Sequence, residues 1–187
     1  MAEHIFIIRH GQTEWSANGR HTSTTDLPLT AAGREQAQGL AAKLTGHDFA
    51  LVLCSPMQRA RETCELAGFG DVAERCDELV EWNYGDYEGL TTPQIRETVP
   101  GWRLWWDGCP GGESAAQIGA RVDSVLARLH AVKGDALTFA HGHVLRVLTA
   151  RWLEMEVSAG ARFKLEAGSV GTLGHERDWT VIERWNL

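Results

Sequence analysis

Apolar positions along this chain follow two alternating rhythms. Short unbroken runs, "HIFIIR" (4–9), "FALVLCS" (49–55) and "DALTFA" (135–140), read as strands covered on both faces. A weaker run, "DVAERC" (71–76), and a final one, "WTVIERW" (179–185), add two more. Between them the spacing turns helical. In "ESAAQIGARVDSVLARLHAV" (113–132), Ile118, Val122, Val125, Leu126 and Leu129 share one face. "LTAAGREQAQGLAAKL" (29–44) opens with Thr30 as N-cap. "PMQRARETCELAG" (56–68) has Pro56 in its first turn and Gly68 at its stop, and "HVLRVLTARWLEM" (143–155) is a further helix. Strands that alternate with helices predict an α/β three-layer sandwich, a mainly parallel central sheet with helices on both faces. No repeat or linker interrupts the pattern, which predicts a single domain over residues 1–187.

One stretch breaks the rhythm. From Glu81 to Ser114 the chain carries Trp82, Tyr84, Tyr87, Trp102, Trp105 and Trp106 and closes on "CPGGES". An aromatic excursion at about 82–112, punctuated by Gly and Pro, is expected to form a lid over a site. The competing expectation is that its tryptophans plug a small second core.

Composition narrows the partners. A net charge of −7 argues against nucleic acid or an anionic membrane as the main partner. It leaves room for a small anionic metabolite, because a local cluster of Arg and His reverses the sign inside one cleft. Cys54, Cys64, Cys76 and Cys109 form no C-x-x-C pair and show no zinc-ligand spacing, so they are expected to be small buried thiols. No apolar run approaches a membrane span and no charged-then-apolar leader opens the chain. The expected compartment is the cytoplasm.

The candidate chemistry lies at element ends. The first strand stops on Arg9-His10-Gly11, the second runs into "CSPMQRARET" with Arg59 and Arg61, the run at 135–140 into "AHGHV" with His141, and the excursion opens on "LVEWNYGDYEG" with Glu81. If the strands at 4–9, 49–55 and 135–140 are parallel neighbours, Arg9, His10, Arg59 and His141 converge on one sheet edge, where α/β folds place ligands. Such a cluster is costly unless an anion completes it. A phosphoryl group does, with paired guanidinium donors and the helix N–H groups after Ser55 and Gly142. A neutral His10 could then attack phosphorus and form a phosphohistidine. A carboxylic acid such as Glu81 would protonate the departing alkoxide and later take a proton from water. Arg9, Arg59 and His141 would stabilise the charge on the equatorial oxygens. No metal or other cofactor is called for. Taken singly, each residue also fits a structural role, His141 and His143 as helix caps among them.

"RHGQTEW" with "SPMQRARET", "EWNYGDYEGL", "GCPGGES" and "AHGH" resembles the histidine phosphatase superfamily, in its phosphoglycerate-mutase-like branch, closest to the small acid and sugar-phosphate phosphatases. The motifs span residues 8 to 143 in order, and "LPLTAAGREQA" (27–37) fits as well. The resemblance implies His10 as the phosphorylated residue, Glu81 as proton donor, and Arg9, Arg59 and His141 as the rest of the phosphate pocket. It places Tyr84 toward the substrate and the "NGRHTSTTDLPL" loop at the mouth, with Thr22 and Ser23 near the phosphate or its leaving group. It also implies a homodimer. Two positions depart from the family pattern: Ser16 stands where Asn is common, and Ser23 where Gly is common.

The expected activity is metal-independent hydrolysis of small phosphomonoesters such as sugar phosphates. One alternative is a phosphoglycerate mutase, disfavoured by the short stretch from Glu81 to Glu113; another is a non-catalytic phosphate-binding module, disfavoured by the presence of both His10 and Glu81. Glu88 and, more weakly, Asp86 rival Glu81 for the acid.

Overall fold

In the computed structural model, which describes residues 2–187, six strands form one sheet. They are β1 (Ala2–Arg9), β2 (Phe49–Cys54), β3 (Glu74–Arg75), β4 (Gly134–Ala140), β5 (Val170–Glu176) and β6 (Trp179–Arg184), in the order β3-β2-β4-β1-β5-β6. β3, β2, β4 and β1 run parallel, whereas β5 is antiparallel to both of its neighbours, β1 and β6. The helices are α1 (Glu14–Asn18), α2 (Ala31–Leu44), α3 (Gln58–Leu66), α4 (Thr92–Thr98), α5 (Leu104–Asp107), α6 (Ala115–Ala131) and α7 (Gly142–Trp152).

The expected sandwich is the observed one. β1 is central, and its consecutive Ile5, Phe6, Ile7 and Ile8 are all buried because successive side chains enter opposite cores. Ile5 and Ile7 join the core built with α6 and α7, and Phe6 and Ile8 the one built with α2 and α3. Thr30 caps α2, and Ser114 caps α6 in a reciprocal capping box.

Four details differ from the sequence expectation. β5, "VGTLGHE", escaped it because Gly171 and Gly174 read as turn residues. Here they are spaces filled by neighbours: a Cβ on Gly171 would stand 3.0 Å from an Ile7 side-chain carbon, and one on Gly174 would stand 2.2 Å from a Glu183 carboxylate oxygen. The run at 71–76 shortens to the two exposed residues of β3. The helix expected from Pro56 starts at Gln58, with Met57 as N-cap, so Pro56 lies outside it. The last helix begins at Gly142 and stops at Trp152.

The aromatic excursion divides. Trp82, Trp102 and Trp105 are buried core residues, and Tyr84 is buried too, whereas Trp106 stays 54% exposed. The core-plugging expectation therefore describes most of the tryptophans. Among the described residues, no helix is long and apolar enough to cross a membrane.

Candidate active site

Sheet register brings three strand ends together. Ile8 pairs with Phe139 and Phe139 with Cys54, so the next residues, around His10, His141 and Ser55, emerge at one carboxyl edge. The ladder runs on past the strands: His10 N–H donates to the Ala140 carbonyl at 3.0 Å, and Ser55 N–H to that of Phe139 at 2.9 Å. Gly11 has no side chain because none fits. A Cβ there would stand 2.2 Å from the Gly33 carbonyl oxygen, where α2 crosses the strand end.

A cavity of about 180 Å³ opens at this edge. Arg9, His10, Ser16, Thr22, Glu81, Tyr84 and Gly142 line it, as the sequence led us to expect. His10 is 5% exposed, and its Nδ1 lies 2.7 Å from the Gly11 carbonyl oxygen. A carbonyl can only accept, so Nδ1 carries the proton and Nε2 keeps its lone pair. Burial, followed by the charges of Arg59 and Arg9, pushes the His10 pKa well below 6.5; the Gly11 bond opposes them without prevailing. His10 is thus a neutral imidazole with a free nitrogen.

Arg9 donates from Nη1 to the Leu165 carbonyl at 2.5 Å, while its buried Nε has no partner among the described residues. Gly142 lets this group come close, since a Cβ there would sit 3.3 Å from Nε. An orphaned buried donor costs about 1–3 kcal/mol. An oxyanion in the cavity would relieve that cost.

Glu81 is 5% exposed and holds three backbone N–H groups. Oε1 accepts from Trp82 at 2.9 Å and Val144 at 2.8 Å, and Oε2 from His143 at 2.9 Å. His141 occupies the N-cap of α7 without a side-chain cap bond, so Glu81 caps that helix from another segment. This revises the expectation that both helix starts offer N–H groups to phosphate. Those of His143 and Val144 belong to Glu81, and that of Gln58, at the start of α3, donates to Asp26 at 2.7 Å.

Arg59 and His141 are fully buried but stand behind His10 rather than on the cavity wall. Arg59 Nε–H donates to His141 Nδ1 at 3.1 Å, and the opposite nitrogen, Nε2, donates to Ser55 Oγ at 2.7 Å. The Arg59 Nη groups donate to the carbonyls of Thr22, Ser23 and Thr25, fastening the mouth loop. Burial and then Arg59 hold His141 neutral as well. Its ring meets that of His10 edge-on at 5.1 Å.

The departures from the family pattern acquire local roles. Ser16 Oγ accepts from Thr13 N–H and donates to the Thr13 carbonyl, so it serves the cap of α1. Ser23, fully buried, donates from Oγ to the Glu81 carbonyl at 3.2 Å, a bond that Gly could not make. Glu88, the rival acid, is occupied by the Ser23 and Thr25 N–H groups and is absent from the cavity wall; Asp86 is exposed.

Arg20 and His21 reach the wall from the loop expected at the mouth, though neither was singled out, and sequence reasoning missed His143 and Arg146 as wall residues. One signal was available, since Arg146 follows Gly142 by four positions and His143 by three, spacings that make helix neighbours. Tyr84 Oη lies 2.6 Å from His143 Nδ1. Burial keeps the phenol protonated and the imidazole neutral. Also unforeseen is a brace beneath Glu81. Arg121 grips the Glu113 carboxylate with Nε and Nη2, at 2.9 and 2.8 Å. The same guanidinium donates to the carbonyls of Glu78, Val80 and Glu81. Among the described residues, no group of three His, Cys, Asp or Glu side chains is placed to hold a metal ion.

A mainly parallel sheet whose central strand delivers a neutral imidazole among guanidinium groups defines an α/β protein with a cavity whose chemistry suits an oxyanion. The profile of the histidine phosphatase superfamily (branch 1) matches residues 5–187. The chain is 46% identical over 177 residues to an acid phosphatase of Mycobacterium tuberculosis, covering 92% of this chain and 86% of that protein. It is 37% identical over 185 residues to the sedoheptulose 1,7-bisphosphatase of Saccharomyces cerevisiae, covering 81% of this chain and 68% of the yeast protein. A solved structure of a Mycobacterium tuberculosis open reading frame superposes with a TM-score of 0.92 at 41% identity, over 100% of this chain and 98% of that one. The chain belongs to the histidine phosphatase superfamily.

Proposed function

We propose that this phosphoric monoester hydrolase cleaves small phosphomonoesters, sugar phosphates among them, through a phosphohistidine on His10. The observation that carries the reading is the His10 ring, neutral, with Nδ1–H tied to the Gly11 carbonyl and Nε2 free in the cavity lined by Arg9. Nε2 attacks phosphorus, the P–O bond to the leaving group breaks, and Glu81 gives its proton to the departing oxygen. The Gly11 carbonyl then supports the positive charge that the phosphorylated ring acquires. In the second half, Glu81 takes a proton from water, the water oxygen attacks phosphorus, and the electron pair of the P–N bond returns to Nε2. Arg9 pairs with the equatorial oxygens from the wall. Arg59 and His141 act from behind, one by its charge and its hold on the mouth loop, the other by packing on the nucleophile. Trp82, Tyr84, Trp102 and Trp105 of the excursion are spent in the core, which leaves few large side chains to shield a phosphohistidine from water and favours hydrolysis over mutase chemistry.

The test is phosphate release from a panel of sugar phosphates and 3-phosphoglycerate, with chelator present, alongside recovery of acid-labile phosphate on the protein. The parent is expected to release phosphate in chelator and to carry label at His10. His10→Ala is expected to lose about four orders of magnitude in kcat while remaining folded. Substantial turnover by that variant would overturn the mechanism. Interconversion of phosphoglycerates without release would make the chain a mutase, and silence in both assays would favour the binding module.

A further inference from the structure

Next to the cavity that holds His10 lies a second one, of about 340 Å³, under the aromatic stretch. Thr92, Arg96, Trp102, Trp105 and Trp106 line it, and it shares two side chains with the first, His21 and His143. The His21 ring stands at this boundary and is fastened from several sides. Its centroid is 4.7 Å from Tyr84, 5.6 Å from Trp102 and 6.1 Å from His143. Its Nε2 lies 3.3 Å from Thr92 Oγ1. The backbone is stitched as well: His21 N–H donates to the Leu90 carbonyl at 2.9 Å, and its own carbonyl accepts from Gly89 N–H at 2.8 Å. Burial lowers its pKa to about 4, outweighing the upward pull of Glu88, so near neutral pH the wall is an uncharged flat ring.

We propose that His21 is a specificity-determining residue for the leaving group, a partition between the two cavities that sets the size of alcohol the enzyme accepts. The inference rests on the reading above, that a phosphomonoester enters the cavity of His10. With the phosphoryl oxygens turned to Arg9 and His10, a leaving alcohol that extends toward the second cavity meets the His21 ring at the boundary, and the larger the alcohol the sooner it does. Beyond the ring lies the second cavity, lined in part by Trp102 and Trp105, which a bulky leaving group reaches once the partition is removed.

The experiment compares kcat/KM for phenyl phosphate and 4-biphenylyl phosphate, whose phenols are of similar acidity, so that the ratio reports size. In His21→Ala the bulky-to-small ratio is expected to rise about ten-fold or more over the parent's. His21→Phe restores a ring without an imidazole and should return the ratio to that of the parent. His21→Trp thickens the wall and should lower it. A ratio in His21→Ala within about two-fold of the parent's, or an equal rise in His21→Phe, overturns the proposal. Should the alanine variant fail to fold, His21→Trp decides: a lowered ratio supports the partition and an unchanged one overturns it. A failure of the phosphatase reading shows separately, as no phosphate release from phenyl phosphate by the parent.

Discussion

His10 sits one residue past a strand buried from Ile5 to Ile8 and is held by backbone, whereas Glu81 sits between short 3₁₀ turns and is held by groups from far along the chain. The His10 N–H donates to Ala140, its carbonyl accepts from Gly168, and its ring nitrogen bonds Gly11. These contacts follow from the sheet itself. Glu81 depends on the start of α7 for its carboxylate, and on Arg121 and Ser23 for its carbonyl. The proposed nucleophile is thus placed by the sheet, and the proposed acid by a helix start and two side chains from distant segments. Perturbing the first should stop the chemistry, whereas perturbing the second should blur it selectively.

After removal of His10, the largest effect is expected from Glu81→Gln. It should lower kcat about 10²- to 10³-fold for alkyl phosphates, whose alkoxides need a proton, and far less for p-nitrophenyl phosphate. Equal losses on both substrates would move the acid role elsewhere. A smaller loss should follow Arg121→Met, which leaves the carboxylate in place but frees its support. We expect about a ten-fold fall in kcat on alkyl phosphates with KM little changed, and a stability loss of about 3 kcal/mol as the half-buried Glu113 loses its partner. A rate loss independent of leaving group would reduce the brace to a purely structural part and erase the contrast between the two supports.

The pH dependence of stability probes both ends at once. Burial holds His10 and His141 on the sheet side, and His21 and His143 near the acid, below the 6.5 of an ordinary imidazole. As pH falls below that value, the unfolded chain takes up protons that the folded protein refuses. Stability is therefore full above it and declines on acidification, by roughly 1.4 kcal/mol per pH unit for each such histidine. For His21 the window runs from 6.5 down to about 4. Melting temperatures between pH 7 and 4.5 should fall in the parent and fall less steeply in His21→Phe. Parallel curves would mean that His21 is protonated in the folded state.

The same contrast governs what could be read in advance. β1, β2 and β4 were legible because the stretch of each strand that is buried on both faces is a run of mostly apolar residues, and α2 and α6 because one face must be apolar. β5 was not, since Gly171 and Gly174 make sense only beside Ile7 and Glu183. His10, Arg9 and Glu81 stood out as charged or titratable groups at abrupt ends of apolar or aromatic runs. His21 and Arg146 carried no such mark, and Arg121 read as an ordinary charge on an exposed helix face.

By itself, then, the chain determined a mainly parallel α/β sheet, the edge at which His10 and Arg9 emerge, and the residues proposed here to attack and protonate. Those depend on periodicity and on residue type at element ends, which are local properties. Tertiary structure alone decided that Arg59 grips the mouth loop behind His10, that Glu81 caps a helix more than sixty positions away, and that His21 lines both cavities. Each of these is a choice of partner for a hydrogen-bonding or aromatic group, and partners far apart in sequence are brought together only by packing.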